Sequence, residues 1–144
     1  MSEVANQKIL VIQGPNINLL GLRKPGKEAG ITLDKLNRHL RKVSIERGLS
    51  LSIFQTNDES RAVNRLQKQR KKIKGILLFP GPWQQSGHVI KDSLDIISIP
   101  YITVSIGEKV EILRGARNIE DPDIYKSAER ALIELEGLIS KNNL

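Results

Sequence analysis

Short apolar runs alternate with longer amphipathic segments along the chain, and this alternation constrains the fold more than any other feature. The apolar runs are rich in Ile, Leu and Val, which is typical of buried strands. In the segments between them, apolar residues recur every three or four positions, which is typical of helices. Strict alternation of strands and helices predicts an α/β protein with a parallel sheet covered on both faces. We therefore predict a flavodoxin-like, doubly wound, three-layer αβα fold whose five parallel strands follow the order 2-1-3-4-5.

The element boundaries follow from the same pattern. The predicted strands are residues 8–13 (KILVIQ), 49–54 (LSLSIF), 75–79 (GILLF), 101–106 (YITVSI) and 109–113 (KVEIL). The predicted first residues or N-caps of the helices are Thr32, Ser60, Ser86 and Asp121. Ligands of such sheets bind beyond the carboxyl ends of the strands. This rule directs attention to residues 14–18, 55–59, 79–85 and 105–108.

Length and composition narrow the class of protein. A chain of 144 residues predicts a single domain spanning residues 1–144. The absence of cysteine excludes disulfides, thiolate metal sites and a cysteine nucleophile, and it fits a reducing compartment. No run approaches the roughly 20 apolar residues of a membrane span, and the first residues do not resemble a signal peptide. We expect a cytoplasmic protein that needs no metal and no cofactor.

The net charge of +7 is concentrated in one segment. Seven cations and no acid occur in residues 61–74: Arg61, Arg65, Lys68, Arg70, Lys71, Lys72 and Lys74. The interpretation we favour is the solvated face and C-terminal turn of a helix, where cations also suit the helix dipole. The alternative is a patch that binds RNA or another anion, although the few aromatic residues offer little for base stacking.

Residues 14–21 (GPNINLLG) directly follow the first strand, and Arg23 and Pro25 come next. Residues 54–57 (FQTN) follow the second strand, and Pro80-Gly81 follows the third. Together these motifs resemble the signatures of the type II 3-dehydroquinate dehydratases, also called type II dehydroquinases, over residues 8–106. The resemblance implies the same fold, and it implies trimers that group into dodecamers. Residues 96–102 and Trp83 are the apolar surface that we expect such a homo-oligomer to bury.

The resemblance also implies a chemistry. Family members remove water from 3-dehydroquinate through an enolate: a tyrosine helped by an arginine takes the proton, asparagines hold the enolate, and a histidine protonates the leaving hydroxyl. In this sequence Asn16 and Arg23 match that pattern, and Glu28 stands at the place of the tyrosine. The remaining positions differ from the family: Phe79 for an asparagine, Gln85 for a substrate-binding histidine, and Thr103 and Ser105 for a glutamate and the catalytic histidine.

Candidate site residues follow from this correspondence. The catalytic candidates are Arg23 and Glu28. The ligand-binding candidates are Asn16, Arg23, Gly81, Gln85, Ile106 and Gly107, the last two through backbone N–H groups that hold a carboxylate in the family. Arg114 and Arg117 are candidates for further cations. We interpret His39 as a surface residue and His88 as a helix or interface residue.

Three hypotheses about function remain. The first is a dehydroquinase-like protein that has lost dehydratase activity and acts by binding a small anionic ligand or a protein partner, because Phe79, Thr103 and Ser105 all depart from the family. The second is an active lyase, a 3-dehydroquinate dehydratase or a related carboxylate-substrate enzyme with rebuilt catalytic residues. The third is a basic accessory protein that binds RNA or an acidic partner through residues 61–74.

Overall fold

The computed structural model describes residues 7–22 and 30–142. It contains a five-stranded parallel sheet in the order β2-β1-β3-β4-β5. The strands are β1 (Gln7–Gln13), β2 (Leu49–Gln55), β3 (Gly75–Phe79), β4 (Tyr101–Ser105) and β5 (Arg117–Glu120). The predicted fold class and strand order are therefore confirmed.

The helices cover both faces of this sheet. Their bounds are α1 (Leu33–Glu46), α2 (Glu59–Gln69), the single-turn α3 (Trp83–Ser86), α4 (His88–Ile97) and α5 (Ile124–Asn142), with a 3-10 segment at Ile17–Leu22. Buried residues of α1 and α5 share one apolar cluster with alternate residues of β1, β3 and β4. Buried residues of α2 and α4 share a second cluster with the intervening residues of those strands. The two clusters are the two cores of the αβα sandwich.

Trp83 belongs to the second cluster and is only 3% exposed. The prediction that Trp83 offers surface to a neighbouring copy is therefore wrong, because its ring is already buried within its own chain. Ile96 is 74% exposed, whereas Ile97 and Ile99 pack against the second cluster. The apolar surface of this region is thus narrower than the sequence predicts.

The fifth strand lies elsewhere than predicted. Residues 109–113 form no strand, and Arg117–Glu120 pairs with β4 instead. Leu113 is fully buried and Ile112 packs against the second cluster, so the apolar pattern of this segment reflects packing over α3. Of the four residues of β5 only Ile119 is buried. One apolar residue in an edge strand gives too weak an alternation to be found from sequence.

Thr32 caps α1 as predicted, because its hydroxyl accepts a hydrogen bond from the Lys35 N–H at 3.2 Å. Ser60, predicted to open the second helix, is its second residue, because α2 begins at Glu59. The carboxylate of Asp58 caps α2 by accepting from the Ser60 N–H at 2.9 Å. Hydrogen bonds from the side chain and the backbone of Ser60 lower the pKa of Asp58 below its usual value. The largest contribution comes from the Ser60 hydroxyl.

The starts of α4 and α5 also differ from the prediction. Gly87, not Ser86, is the N-cap of α4, and it has no side chain to offer. A carboxylate from a neighbouring helix satisfies this helix end instead, since Glu59 accepts from the Ile90 N–H at 2.9 Å. At the start of α5, Asp123 accepts from the Tyr125 N–H at 3.0 Å, two residues beyond the predicted Asp121.

Candidate active site

The loop that follows β1 packs against the carboxyl end of β3. The Gly14 N–H donates to the Phe79 carbonyl at 2.8 Å. A Cβ atom at position 14 would lie 2.9 Å from the Pro80 carbonyl oxygen and 3.0 Å from the Trp83 side chain. Backbone at that distance cannot yield without moving the strand exit, so this position requires glycine. The loop motif thus brings the ends of β1 and β3 together.

Asn16 lies at the tip of this loop, exposed and in the left-handed region at φ 71°. Asparagine tolerates that conformation better than most residues. Its N–H donates to the side-chain oxygen of Asn57 at 3.0 Å. The Gln55 amide donates to the same oxygen at 3.2 Å and to the Gly14 carbonyl at 3.1 Å. The loops after β1 and β2 are therefore fastened to each other by amide side chains.

A cleft of about 560 Å³ lies beyond the carboxyl ends of β3 and β4. Its lining residues are Gly81, Pro82, Gln84, Gln85, Ile106, Gly107, Glu108 and Lys109. The structure thus brings four of the predicted ligand-binding residues into one cleft: Gly81, Gln85, Ile106 and Gly107. Gly81, at φ 52°, also approaches the first loop, since a Cβ there would lie 3.2 Å from the Pro15 carbonyl. The role of these residues as ligand contacts stays a prediction.

Gln84 lines the cleft and holds the segment that follows it, and it is not among the site residues predicted from the sequence. Its side chain is 1% exposed. The side-chain oxygen accepts from the N–H groups of Glu111 and Leu113, each at 2.9 Å, and the side-chain nitrogen donates to the Leu113 carbonyl at 2.9 Å. One buried amide therefore holds the segment that follows the cleft. No local pattern distinguishes Gln84 from the exposed Gln85 beside it.

The carboxylate of Glu108 lies next to the backbone just after β4. The Ile106 N–H donates to Glu108 Oε1 at 2.9 Å, and Gly107 turns the chain between them at φ 88°. Ile106 is one of the two residues, with Gly107, whose amides the resemblance assigns to a ligand carboxylate. Glu108 lies in the loop 105–108 that the strand pattern predicts to border a ligand site, but its residue type alone assigns it no role.

Of the positions that depart from the family, Phe79, Thr103 and Ser105 do not line the cleft, whereas Gln85 does. Phe79 is fully buried in the cluster beneath α1 and α5. Thr103 is also fully buried, and its hydroxyl donates to the Asn118 side-chain oxygen on β5 at 2.7 Å. Ser105 is 3% exposed, and its hydroxyl has no hydrogen-bond partner among the described residues. These side chains serve the sheet and its cores rather than the surface of the cleft.

The remaining candidates are dispersed. Arg23 and Glu28 lie outside the described residues. Arg117 starts β5, and its guanidinium lies 3.6 Å from Glu134 of α5.

Arg114 has an exposed side chain, and its carbonyl accepts from the Tyr101 hydroxyl at 2.8 Å. Burial raises the pKa of Tyr101 above its usual value, so the phenol keeps the proton that this bond needs.

Neither histidine lines the cleft. His39 lies on α1, with its ring centroid 4.8 Å from that of Tyr125 and its Nε2 3.2 Å from Glu129. His88 is exposed at the start of α4.

The basic segment lies on and after α2, as predicted, and all of its cations except the half-buried Arg65 are exposed. The Arg65 guanidinium lies 4.0 Å from the centre of the Phe54 ring. This stacking uses the aromatic face that a nucleic-acid base would need. RNA binding through this segment stays a prediction.

Within the described parts of the chain, no helix combines the length and the hydropathy of a membrane span.

A doubly wound αβα sheet with a polar cleft beyond its carboxyl edge is the architecture of small-molecule binding proteins and enzymes. Residues 7–114 match the sequence model of the family described as Dehydroquinase class II. The chain belongs to this family.

Individual relatives agree with that assignment. The chain is 35% identical over 99 residues to the 3-dehydroquinate dehydratase of Geotalea daltonii, a match that covers 69% of each chain. It is 38% identical over 100 residues to the 3-dehydroquinate dehydratase of Endomicrobium trichonymphae, covering 69% of this chain and 70% of the relative. The crystal structure of a type II dehydroquinase from Propionibacterium acnes superposes with a TM-score of 0.76 at 26% identity, covering 91% of this chain and 98% of that one.

These relatives contradict the first hypothesis about function. Loss of dehydratase activity, with binding as the remaining role, is therefore wrong, and the alternative of an active lyase is better supported. The physical reason lies in where the departing residues are. Phe79, Thr103 and Ser105 are buried in the sheet and its cores, so their identities do not describe the lining of the cleft.

Proposed function

We propose that this protein is a hydro-lyase that dehydrates 3-dehydroquinate, or a closely related cyclic hydroxy-acid, in the cleft beyond β3 and β4. One observation carries the proposal: the family match spans residues 7–114 and therefore includes every residue that lines the cleft. The relatives matched over this region at 35% and 38% identity are named 3-dehydroquinate dehydratases. A volume of about 560 Å³ also suits a small cyclic substrate.

Dehydration of a hydroxy-ketone requires a base for the proton beside the carbonyl and an acid for the leaving hydroxyl. We propose Glu28 as the base and Arg23 as the cation that holds substrate charge near it. Among the residues that line the cleft, Lys109 carries an ammonium group, and we propose it as the proton donor to the hydroxyl. The substrate proton passes to the carboxylate, the hydroxyl leaves with a proton from Lys109, and the sum is loss of water.

The neutral parts of the cleft serve to orient the substrate. Gln85 is exposed at the lining and offers one amide to the substrate hydroxyls. Asn16 lies on the neighbouring loop, which Gln55 and Asn57 hold in place. A pre-set loop of this kind favours catalysis, because little conformational freedom is lost when the substrate binds.

The turnover of 3-dehydroquinate tests the proposal. Dehydration creates a conjugated enone, so the reaction is followed by ultraviolet absorbance, and we expect a kcat on the order of 1 per second or more. Glu28→Gln and Lys109→Met are each expected to lower kcat by about 10²–10⁴-fold, because each removes a proton-transfer group. Glu111→Gln is the control, since Glu111 is exposed and does not line the cleft.

A wild-type rate no faster than that of substrate in buffer would overturn the proposed function. Turnover that survives both substitutions would leave the function standing and show that other groups transfer the protons.

We also propose a closed homo-oligomer, a trimer or a dodecamer, in the cytoplasm. On α4, Val89 is 60% and Ile96 is 74% exposed, and their seven-residue spacing places both on one side of the helix. Burial of that apolar stripe against another copy favours association. Light scattering is expected to return a multiple of the 16.1 kDa chain mass. A monomer at micromolar concentration would reject this part of the proposal.

A further inference from the structure

The hydrogen bond between the Ile106 N–H and Glu108 Oε1, 2.9 Å long, is formed within the wall of the cleft. Both residues line the cleft, and Glu108 is half-buried. Gly107 makes the geometry accessible, because its φ of 88° turns the chain back on itself with no Cβ to obstruct the turn. The carboxylate of Glu108 thus lies at the first amide after β4.

We propose that Glu108 is an internal competitor for the anion position of the cleft. Its carboxylate occupies the Ile106 amide while the cleft is empty, and a ligand carboxylate binds there only after Glu108 has turned away. Glu108 therefore sets the specificity of the cleft. This inference rests on the proposed function to the extent that it assumes a substrate carrying a carboxylate.

The electrostatics of the two carboxylates support displacement rather than sharing. A bond from an N–H to a carboxylate is charge-assisted and stronger than one to a neutral acceptor. A ligand carboxylate placed at the same N–H would lie beside Glu108, and two like charges that close in a partly desolvated cleft repel each other. The adjacent Lys109 attracts either carboxylate. Lys109 therefore strengthens anion binding at this position without choosing between the two.

The fold confines the exchange to a short turn. On one side β4 ends at Ser105, within the sheet. On the other side the Gln84 side chain fastens the backbone from Glu111 onward. Only residues 106–110 lie between these two anchors, and Ile106 is itself buried. Glu108 can therefore leave the amide by a change in its own side chain and in this turn. The sheet and the segment held by Gln84 keep their positions.

The Glu108 hydrogen bond makes the cleft select for ligands that carry a carboxylate. A ligand with a carboxylate replaces the bond that Glu108 gives up, whereas a neutral ligand breaks it and returns nothing of equal strength. If the displaced form makes up about a tenth of the empty protein, the apparent affinity for a carboxylate ligand is about tenfold below its intrinsic value. Removal of the Glu108 carboxylate is expected to raise the apparent affinity for a carboxylate ligand by about tenfold.

Citrate binding to the full chain, measured by titration calorimetry at about 0.15 M salt, tests the inference. Glu108→Ala is expected to bind citrate about tenfold more tightly than the wild type. Glu108→Gln should fall between the two, because its amide oxygen still accepts from the Ile106 N–H but without charge. Glu111→Gln is the matched control: it removes the same charge from a nearby exposed position and is expected to change the dissociation constant by less than twofold.

Unchanged or weaker citrate binding by both Glu108 variants would overturn the inference, as would equal tightening by Glu111→Gln. Glu108→Gln preserves side-chain volume, so it decides the matter if Glu108→Ala does not fold. The outcome is separate from that of the dehydratase assay. Tighter binding without turnover would reject the proposed function alone, and turnover with unaltered binding would reject this inference alone.

Discussion

Replacement of Gln84 by methionine is expected to lower the free energy of unfolding by about 3 kcal/mol or more. Methionine has nearly the volume of glutamine but no hydrogen-bonding amide, so the N–H groups of Glu111 and Leu113 and the Leu113 carbonyl lose their partner. Each buried polar group left unpaired costs about 1–3 kcal/mol. Because the whole domain is stable by only about 5–15 kcal/mol, this loss is large. Urea unfolding followed by circular dichroism measures it.

Gln85→Met is the matched control for this change. It makes the same substitution one residue later, at an exposed position on the same helical turn. Its effect on stability should stay within about 0.5 kcal/mol, as for other surface changes. Equal effects of the two substitutions would show that the Gln84 side chain does not hold the segment of Glu111 and Leu113.

Phe79→Asn is expected to lower the free energy of unfolding by about 4 kcal/mol and to leave the protein close to unfolding. This change introduces the residue that the family resemblance places before Pro80-Gly81. Phe79 is fully buried in the cluster beneath α1 and α5. Removal of a buried phenylalanine ring costs about 3–5 kcal/mol, and an amide in the same place adds the cost of burying an unpaired polar group.

Phe79→Leu serves as the control, because it keeps an apolar side chain and is expected to cost less than half as much. Thermal and urea unfolding of the two variants measure the difference. We expect no gain in dehydratase turnover from Phe79→Asn. A stable Phe79→Asn protein with faster turnover would show that position 79 faces the substrate, contrary to the packing described above.

The substitutions at Gln84 and Phe79 test which side chains form the cleft and which form the core. Of the positions that depart from the family, Phe79, Thr103 and Ser105 are packed into the sheet and its cores, whereas Gln85 lines the cleft. The polar lining of the cleft comes instead from Gln84, Gln85 and Glu108 with Lys109. Phe79, Thr103 and Ser105 therefore do not form the surface that a ligand in the cleft contacts. This is the physical reason why the hypothesis of lost activity failed against the comparisons.

Much of the fold was predictable because its signals are local. The apolar runs of β1, β3 and β4 are buried on both faces, which gives continuous stretches of Ile, Leu and Val. Thr32 caps α1 through a bond that spans three residues. The failures lie where a distant partner replaces a local one. Glu59 of α2 satisfies the start of α4, and the buried Gln84 amide holds the backbone of Glu111 and Leu113, where the sequence predicts a strand.

The candidate site divides in the same way. Glycine at position 14 and the strand-end positions of Gly81, Ile106 and Gly107 follow from motif and periodicity, since parallel strands bring their carboxyl ends to one edge. The contacts that shape the cleft at that edge do not, because they join residues far apart in the chain. Asn57 meets the Asn16 backbone 41 residues away, and Gln84 meets Leu113 29 residues away. Such side-chain-to-backbone bonds have no period and no local motif, so only the packing of the folded chain selects them.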